Sequence, residues 1–328
     1  MNLECVHSIQ ICYEISIALI AVILNLLVLM IATRKWKDEL HSFSTLVICT
    51  TCSDIFFTFT NLFTMQTIQM HDSGLFFFNN NPLLIHISSN TAMILSALWL
   101  MGIYIAITNI GFQAYHRYNV VCKSNVVSER AVFQSFLLIC VVCGVFCSTV
   151  LLTWEHGRFP GSEYEKELNR SAGILSRTNI EFSVADPRIA VGAFHLLGSQ
   201  MVIMITYSCV IYSCFQIYKI LKNEASSMSA LTRKANKKLN QVMIIQALFP
   251  FILIGFPFVF VVLGTIFQLQ TVFIAELMAL SITLLPIANA LTLLTVIPNY
   301  RRRFMRMVRG NHYKVNGSVS RPTATSKI

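Results

Sequence analysis

Seven long apolar stretches divide this chain, and they constrain its fold more than any other feature. An α-helix rises 1.5 Å per residue, so about 20 apolar residues cross the ~30 Å hydrocarbon core of a bilayer. All seven stretches reach that length: 9–32, 42–65, 83–112, 131–153, 189–218, 241–267 and 272–297. The pattern predicts an all-α membrane protein, a seven-transmembrane helix bundle whose two termini lie on opposite faces.

Composition supports the same fold class. Of the 328 residues, 55% are hydrophobic and only 12% are charged, which leaves too little polar surface for a water-soluble fold of this size. The net charge of +10 would also suit nucleic acid, but the basic residues are concentrated in alternate gaps between the apolar stretches. That placement indicates a membrane protein that binds no nucleic acid.

The distribution of lysine and arginine predicts the orientation. Twenty of the 25 lie in gaps 33–41, 113–130 and 219–240 and in the tail 298–328, whereas 1–8, 66–82 and 268–271 have none. Basic loops stay in the cytoplasm, and long loops such as 154–188 have little influence. We expect residues 1–8 to be extracellular, the bundle to occupy 9–297, and the C-terminus to be cytoplasmic. Because residues 1–8 lack a basic stretch, the first helix is expected to act as an uncleaved signal anchor.

Several classes of membrane protein are disfavoured. A retinal protein needs a lysine in the last helix, and residues 241–297 contain none. Inverted repeats typical of transporters are not visible. Five cysteines lie within apolar spans without a nearby histidine, namely Cys49, Cys52, Cys140, Cys143 and Cys147. We therefore expect packing residues and no metal site or cofactor. Asn169 begins an Asn-Arg-Ser glycosylation acceptor in a loop predicted to be extracellular.

Polar residues within the predicted spans are candidates for function, and three of them form a recognisable group. A buried charge in a bilayer costs several kcal/mol unless it finds a partner or water, so Asp54 in the second span is a functional candidate. Together with Asn25 and Asn289, it resembles the hydrated polar network in the centre of rhodopsin-like receptors. The alternative is a protonated Asp54 that bonds to Ser53 or Thr51.

The end of the third span reads His-Arg-Tyr-x-x-x-Cys from His116 to Cys122. It resembles the Asp-Arg-Tyr-x-x-x-Cys motif of rhodopsin-like receptors, in which the arginine meets the G protein. The resemblance implies that role for Arg117 and Tyr118, although His116 replaces the acid. The alternative is ordinary anchoring of an Arg-Tyr pair at the membrane boundary.

The C-terminal third sharpens the resemblance to a single family. The matching runs are 229–234 (SALTRK), 238–239 (KL), 245–250 (IQALFP), 285–289 (LPIAN) and 298–302 (PNYRR). Their order and spacing resemble the nematode serpentine chemosensory receptors of the Str superfamily, class d (delta) or a close relative. The resemblance is best over 219–304. It implies a G-protein-coupled receptor for olfaction or related chemoreception.

Helical periodicity selects candidate ligand-binding residues. Trp99 precedes Arg117 by 18 residues, five full turns, so both lie on one face of the third helix. Residues Ser96, Leu100 and Ile103 share that face, which is mostly apolar and carries no acid for an amine. We therefore expect a small, neutral, largely apolar ligand. His195 and Ser199 in the fifth span are candidates for a hydrogen bond to it, unless His195 instead joins two helices.

Activation is expected to involve the sixth span and the cytoplasmic face. Pro250 and Pro257 each remove a backbone hydrogen bond and predict kinks. Further basic residues for a G protein and anionic lipid are Lys234, Lys237 and Lys238. Residues 298–309 combine spaced apolar residues with arginines, which predicts an amphipathic interfacial helix. The tail 310–328 is small and polar and is expected to be disordered.

These observations lead to one function and two alternatives. The sequence predicts a chemosensory G-protein-coupled receptor, without enzymatic activity, in the plasma membrane of sensory cilia. Its expected partners are a small-molecule odorant or chemical cue, a heterotrimeric G protein and membrane lipids. The alternatives are a ligand-gated odorant channel, which requires a cytoplasmic N-terminus, and a membrane transporter.

Overall fold

The computed structural model describes residues 3–33, 41–71, 74–84, 87–123, 127–153, 155–156, 163–164, 166, 182–223, 244–245, 247–267 and 272–308. All structural statements below concern these residues. The expected disordered tail, Asn169 and the lysines at 234, 237 and 238 lie outside them.

Helices dominate the described chain. The first five are α1 (Leu3–Ala32), α2 (His41–Thr64), α3 (Ser89–Cys122), α4 (Glu129–Ser148, followed by a short helix at Val150–Thr153) and α5 (Ala190–Asn223). The others are α6 (Phe256–Ile266), α7 (Val272–Ile282), α8 (Leu285–Val296) and α9 (Pro298–Val308). Six stretches are long and apolar enough to cross a membrane, and the bent pair α7–α8 makes a seventh. The predicted seven-helix fold is confirmed.

The third helix differs from its predicted bounds. It begins at Ser89, after a 3-10 turn at Pro82–Leu84, because the Ser88 hydroxyl accepts a hydrogen bond from the Thr91 amide at 3.3 Å and so caps the helix. It continues ten residues past the apolar stretch, since polar residues such as His116 and Asn119 are buried against neighbouring helices. A hydropathy pattern does not detect helical residues that are polar and yet buried, so it placed the end of this helix too early.

Prolines interrupt the last two spans. A π-helical turn at Phe251–Gly255 lies between Pro250 and Pro257. Because Pro257 has no N–H and its ring crowds the carbonyl four residues earlier, the regular helical ladder does not pass through this point. Helices α7 and α8 meet at an angle of 42°, with Pro286 in the first turn of α8.

A small antiparallel sheet, which the sequence analysis did not predict, covers one end of the bundle. Its strands are β1 (Gln66–His71), β2 (Gly74–Asn79), β3 (Glu155–His156) and β4 (Phe182–Ala185), in the order β1-β2-β4-β3. Strands β1 and β2 form a hairpin, called the hairpin below. We call this end of the bundle the sheet end and the other, where α9 lies, the tail end.

The hairpin is tightly attached to β4. Gly74 has φ = +154°, a conformation that side-chain-bearing residues rarely adopt, and a Cβ there would lie 2.6 Å from the Ala185 carbonyl oxygen. Phe76 and Phe78 stack on one another and pack against Phe182 on one face. The opposite face, with Ile68 and Phe77, joins the core of the bundle.

Helix α3 forms the centre of the bundle and packs against α2, α4 and α5. Gly102 allows α2 to come close, since a Cβ there would lie 3.0 Å from the Phe57 ring. By contrast, α4 is peripheral: Leu138, Val141 and Val145 are all more than 60% exposed. Such an exposed apolar surface is typical of contact with a membrane, which fits the membrane fold.

Candidate functional site

A narrow apolar cavity lies inside the bundle beneath the hairpin. Its lining includes Ile68 and Phe77 from the hairpin, Trp99, Leu100, Ile103, Tyr104 and Ile107 from α3, Ile203 from α5, Phe258 from α6, and Met278 and Ile282 from α7. The cavity volume that is open to the centre of a water molecule is only about 10 Å³. That is room for about one water. A larger molecule therefore enters only if the walls move apart.

Three of the six predicted ligand residues line this cavity, namely Trp99, Leu100 and Ile103. Ser96 lies one turn nearer the sheet end, where its hydroxyl oxygen is 3.1 Å from the side-chain nitrogen of Gln66. The shared face that helical periodicity predicts is thus present along α3.

His195 and Ser199 do not line the cavity. The ring of His195 stacks on Phe146 at 4.8 Å between centroids, and its Nδ1 lies 3.2 Å from the Thr149 hydroxyl. The Ser199 hydroxyl donates to the carbonyl of Leu196 at 2.6 Å. The structure therefore places His195 between α4 and α5, as the interhelical alternative requires.

A buried acid that the sequence analysis did not select lies close to the cavity. Glu14 in α1 is only 2% exposed and accepts a hydrogen bond from the Asn61 amide at 2.7 Å. The Asn61 oxygen in turn accepts from the Trp99 indole N–H at 2.8 Å. An acid in an otherwise apolar span was the available signal. These contacts join α1, α2 and α3 and fix the indole that forms one cavity wall.

Side-chain hydrogen bonds attach the hairpin to three helices. Gln66 donates to Ser96 in α3, and Gln10 in α1 donates to Thr67 at 3.0 Å. Gln69 donates to the Glu276 carboxylate in α7 at 2.9 Å. Because β1 is bonded to helices on different sides of the bundle, the hairpin acts as a roof over the cavity.

Two of the three predicted polar residues bond directly to each other, and the third bonds to the backbone of the same helix. Asn289 donates to both carboxylate oxygens of Asp54, at 3.0 and 3.3 Å, and Asn25 donates to the Pro286 carbonyl at 3.2 Å. Ser53 and Thr51 donate to backbone carbonyls of their own helix. The Asp54–Asn289 bonds therefore join α2 to α8, and the Asn25–Pro286 bond joins α1 to the first turn of α8.

At the tail end, Arg117 and Tyr118 lie on different surfaces of α3. Arg117 is only 7% exposed, and its guanidinium carbon lies 5.5 Å from the centre of the Phe43 ring. Tyr118 packs edge-on against Tyr212 of α5 at 5.7 Å. This arrangement bridges α2, α3 and α5 near the membrane boundary.

An ion-pair cluster joins the sheet end to the start of α5. Arg188 contacts Asp186 at 2.7 Å and Glu163 at 3.1 Å, and the Tyr164 hydroxyl donates to Asp186 at 2.8 Å. Burial alone would raise the pKa of Asp186, but the hydrogen bonds from Arg188 and Tyr164 outweigh it and lower that pKa. Burial and the nearby carboxylate raise the pKa of Tyr164 to about 12. Within the described chain, no group of three or more histidine, cysteine or acidic residues is placed to hold a metal ion.

Comparison with solved structures supports the fold. The crystal structure of squid rhodopsin matches with a TM-score of 0.68 over 94% of this chain and 87% of that chain, at 14% sequence identity. At this identity the match establishes the seven-helix arrangement alone. A comparison with curated protein sequences gives no match.

The sequence also matches a protein-family model, described as the serpentine type 7TM GPCR chemoreceptor Str. The match covers residues 10–305, which includes most of every span and of α9. The similarity around α6 to α9 is thus part of a match along nearly the whole chain. The chain belongs to the Str family of serpentine seven-transmembrane chemoreceptor GPCRs.

Proposed function

We propose that this receptor binds a small, neutral, largely apolar molecule from outside the cell and then activates a heterotrimeric G protein. The observation that carries the proposal is the cavity beneath the hairpin, whose lining is apolar and comes from both hairpin strands and helices. Binding sites for small molecules are typically concave, mostly apolar and set between helices of a bundle. The family of chemoreceptors supplies the general role.

The cavity chemistry supports a neutral ligand. Only apolar surface faces the empty space, and a charged group placed there would lose its hydration without gaining a partner. The nearby Glu14 carboxylate is already engaged by Asn61. In this account the contacts with Trp99, Leu100 and Ile103 bind the ligand by apolar burial.

The same cavity touches the parts of the bundle that are best suited to move. Phe258 follows the π-helical turn by three residues, and Ile282 ends α7 directly before the 42° bend. A ligand shifts a conformational equilibrium only by its differential affinity for the two states. A molecule that fits the widened cavity would therefore favour the state in which α6 has moved outward about Pro250 and Pro257.

The proposed G-protein surface is the tail end. We assign Arg117 and Tyr118 to it and, from the sequence alone, also the basic segment with Lys234, Lys237 and Lys238, which lies outside the described residues. Arg301 and Arg302 of α9 are exposed, which suits anionic lipid at the cytoplasmic surface. If the tail end faces the cytoplasm, residues 1–8 and the sheet end face the outside of the cell. We propose that the membrane is the plasma membrane of sensory cilia.

A cell assay tests the function. Cells that express the receptor with a heterotrimeric G protein are exposed to a panel of volatile and soluble compounds while cytosolic calcium is recorded. We expect concentration-dependent responses that an Arg117→Ala variant, at equal surface expression, does not give. Uptake of a labelled compound without G-protein dependence would instead support a transporter.

A second assay tests the orientation. An N-terminal epitope tag should be labelled by antibody in intact cells, because the proposal places residues 1–8 outside. Labelling only after permeabilisation would contradict it and would support an odorant channel.

A further inference from the structure

The two strands of the hairpin present one polar pair on the face that roofs the cavity. Ile68 pairs with Phe77 in the strand register, and both line the cavity. Gln66 pairs with Asn79 two positions along. Because side chains alternate with a period of two, these amides share the cavity face with Ile68 and Phe77. The amide side chains of Gln66 and Asn79 therefore lie at one end of the hairpin face that covers the cavity.

Hydrogen bonding fixes the orientation of the Gln66 amide. The Ser96 hydroxyl donates its single proton to the Ala92 carbonyl at 3.1 Å, so the Ser96 oxygen can only accept from Gln66. The NH2 group of Gln66 must face Ser96. Its carbonyl oxygen is left buried, with no hydrogen-bond partner among the described residues.

The Asn79 amide is oriented in the same way. Its nitrogen lies 3.1 Å from the Ala92 carbonyl oxygen, which only accepts, so the NH2 group must point there. The Asn79 carbonyl oxygen is also buried without a partner in the part of the chain that the structure describes. Directly paired residues in an antiparallel ladder have Cβ atoms about 5 Å apart. Two acceptor atoms thus belong to one small site.

Two buried carbonyl oxygens without hydrogen bonds favour the binding of a ligand that carries a hydrogen-bond donor. A buried acceptor without a hydrogen bond is unfavourable, and a ligand that supplies a donor removes that cost. The indole N–H of Trp99 in the cavity wall is already committed to Asn61. Neither amide lines the cavity in its narrow form, but Ser96, which Gln66 contacts, is one helical turn from Trp99. A ligand that extends the cavity towards Ser96 would therefore approach Gln66 and its strand partner Asn79.

We propose that Gln66 and Asn79 form the polar subsite of the ligand pocket and select apolar molecules that carry a hydrogen-bond donor, such as a hydroxyl, over molecules with acceptors only. This inference rests on the proposed function, since it assigns the chemical class of the ligand that the cavity binds. It adds a specificity determinant outside the α3 face.

Binding to the purified receptor in lipid nanodiscs tests the subsite without a G protein. The probes are 1-hexanol and 2-hexanone, which have the same number of carbons but differ in donor capacity. The measurement is the concentration of each probe that raises the thermal unfolding midpoint by half its maximal shift. We expect 1-hexanol to act at a concentration about tenfold lower, the factor that one hydrogen bond of ordinary strength provides.

Variants identify the residues responsible. Gln66→Met and Asn79→Leu should each weaken the effect of 1-hexanol and leave that of 2-hexanone unchanged. Gln69→Met is the control for a loosened hairpin, because it removes the bond to Glu276 but keeps both acceptor oxygens. It should retain the preference for 1-hexanol over 2-hexanone. The unfolding midpoint without probe reports whether each variant folds.

Several results would overturn the subsite. These are equal potency of the two probes, no shift with either, or an unchanged preference in folded Gln66→Met protein. Stronger binding of 1-aminohexane than of both probes would also overturn it, and point to Glu14, if folded Gln66→Met and Asn79→Leu proteins bind 1-aminohexane as tightly as wild type. The proposed function fails by a different result, the absence of G-protein signalling in the cell assay.

Discussion

Asp54 illustrates how one ionisable side chain is accommodated in the centre of the bundle. Its two carboxylate oxygens accept from a single amide, that of Asn289 in α8, while the neighbouring hydroxyls bond to their own helix. The acid therefore bonds α2 to a helix that directly follows the 42° bend. A change in its charge acts at a junction between two spans.

For Asp54→Asn, we expect normal surface delivery and an altered ligand response. The asparagine keeps an oxygen that accepts from Asn289 but removes the ionisable group. Surface labelling and the concentration–response curve of an activating compound measure the two effects. Asp54→Ala is the comparison, because it leaves the Asn289 amide without that acceptor, at a cost of about 1–3 kcal/mol. Intracellular retention of Asp54→Asn would mean that the carboxylate is purely structural.

His116 precedes the buried Arg117, at the position where rhodopsin-like receptors carry an acid. It is buried, and neither ring nitrogen has a hydrogen-bond partner in the described chain. Because an acid is missing here, we expect appreciable basal signalling, and we expect His116→Asp to lower it by attracting the guanidinium. Calcium recordings without ligand provide the measurement, and His116→Asn is the uncharged control. Equal basal signals at equal surface expression would refute the prediction.

At the scale of elements, the hairpin and β4 depend on the cluster around Asp186. The Asp186 side chain is 3% exposed and that of Arg188 is 39% exposed, so their ion pair is partly shielded from water. The Asp186 backbone also lies against Gly192 in the first turn of α5, where a Cβ would come within 2.2 Å of its carbonyl oxygen. This close packing holds β4 against the helix end.

We expect Asp186→Asn to lower the thermal unfolding midpoint at neutral pH and to have little effect at low pH. The folded-state pKa of Asp186 lies below the usual value of about 3.9, so its stabilisation is present above that value and is lost as the pH falls through the folded pKa. Unfolding of both proteins between about pH 7 and pH 3 measures the difference. The loss at neutral pH should be about 1–3 kcal/mol.

Glu163→Gln provides the control for this cluster. The Glu163 side chain is 72% exposed, so its contact with Arg188 should contribute less than about 1 kcal/mol. A pH-independent difference between wild type and Asp186→Asn would contradict the assignment.

The helices could be predicted from sequence far better than the sheet. A bilayer demands long apolar segments, so hydropathy located all seven spans. The strands at 66–71 and 74–79 are short, and their fold depends on pairing with a distant segment at 182–185. Periodicity within one segment does not reveal such a partner. The roof of the cavity was missed for this reason.

At the scale of the whole molecule, the candidate site was only partly predictable. Periodicity along α3 placed Trp99, Leu100 and Ile103 on one face, because a single rigid helix fixes their relation. His195 depends instead on how α5 rotates against α4, which the sequence of α5 does not determine. Glu14 could have been selected as an acid in an apolar span, but its bond to Asn61, 47 residues away, depends on the packing of α1 on α2.

The most direct test of the ligand site changes the size of the cavity. Ile103→Ala removes carbon atoms from the cavity wall and so enlarges the cavity, whereas Val142→Ala truncates an apolar side chain on the exposed surface of α4. Concentration–response curves are measured with homologues of an activating compound, at matched surface expression. The account predicts that Ile103→Ala shifts the preference to longer or bulkier homologues and that Val142→Ala does not. An unchanged order of potency in Ile103→Ala would show that the ligand binds elsewhere.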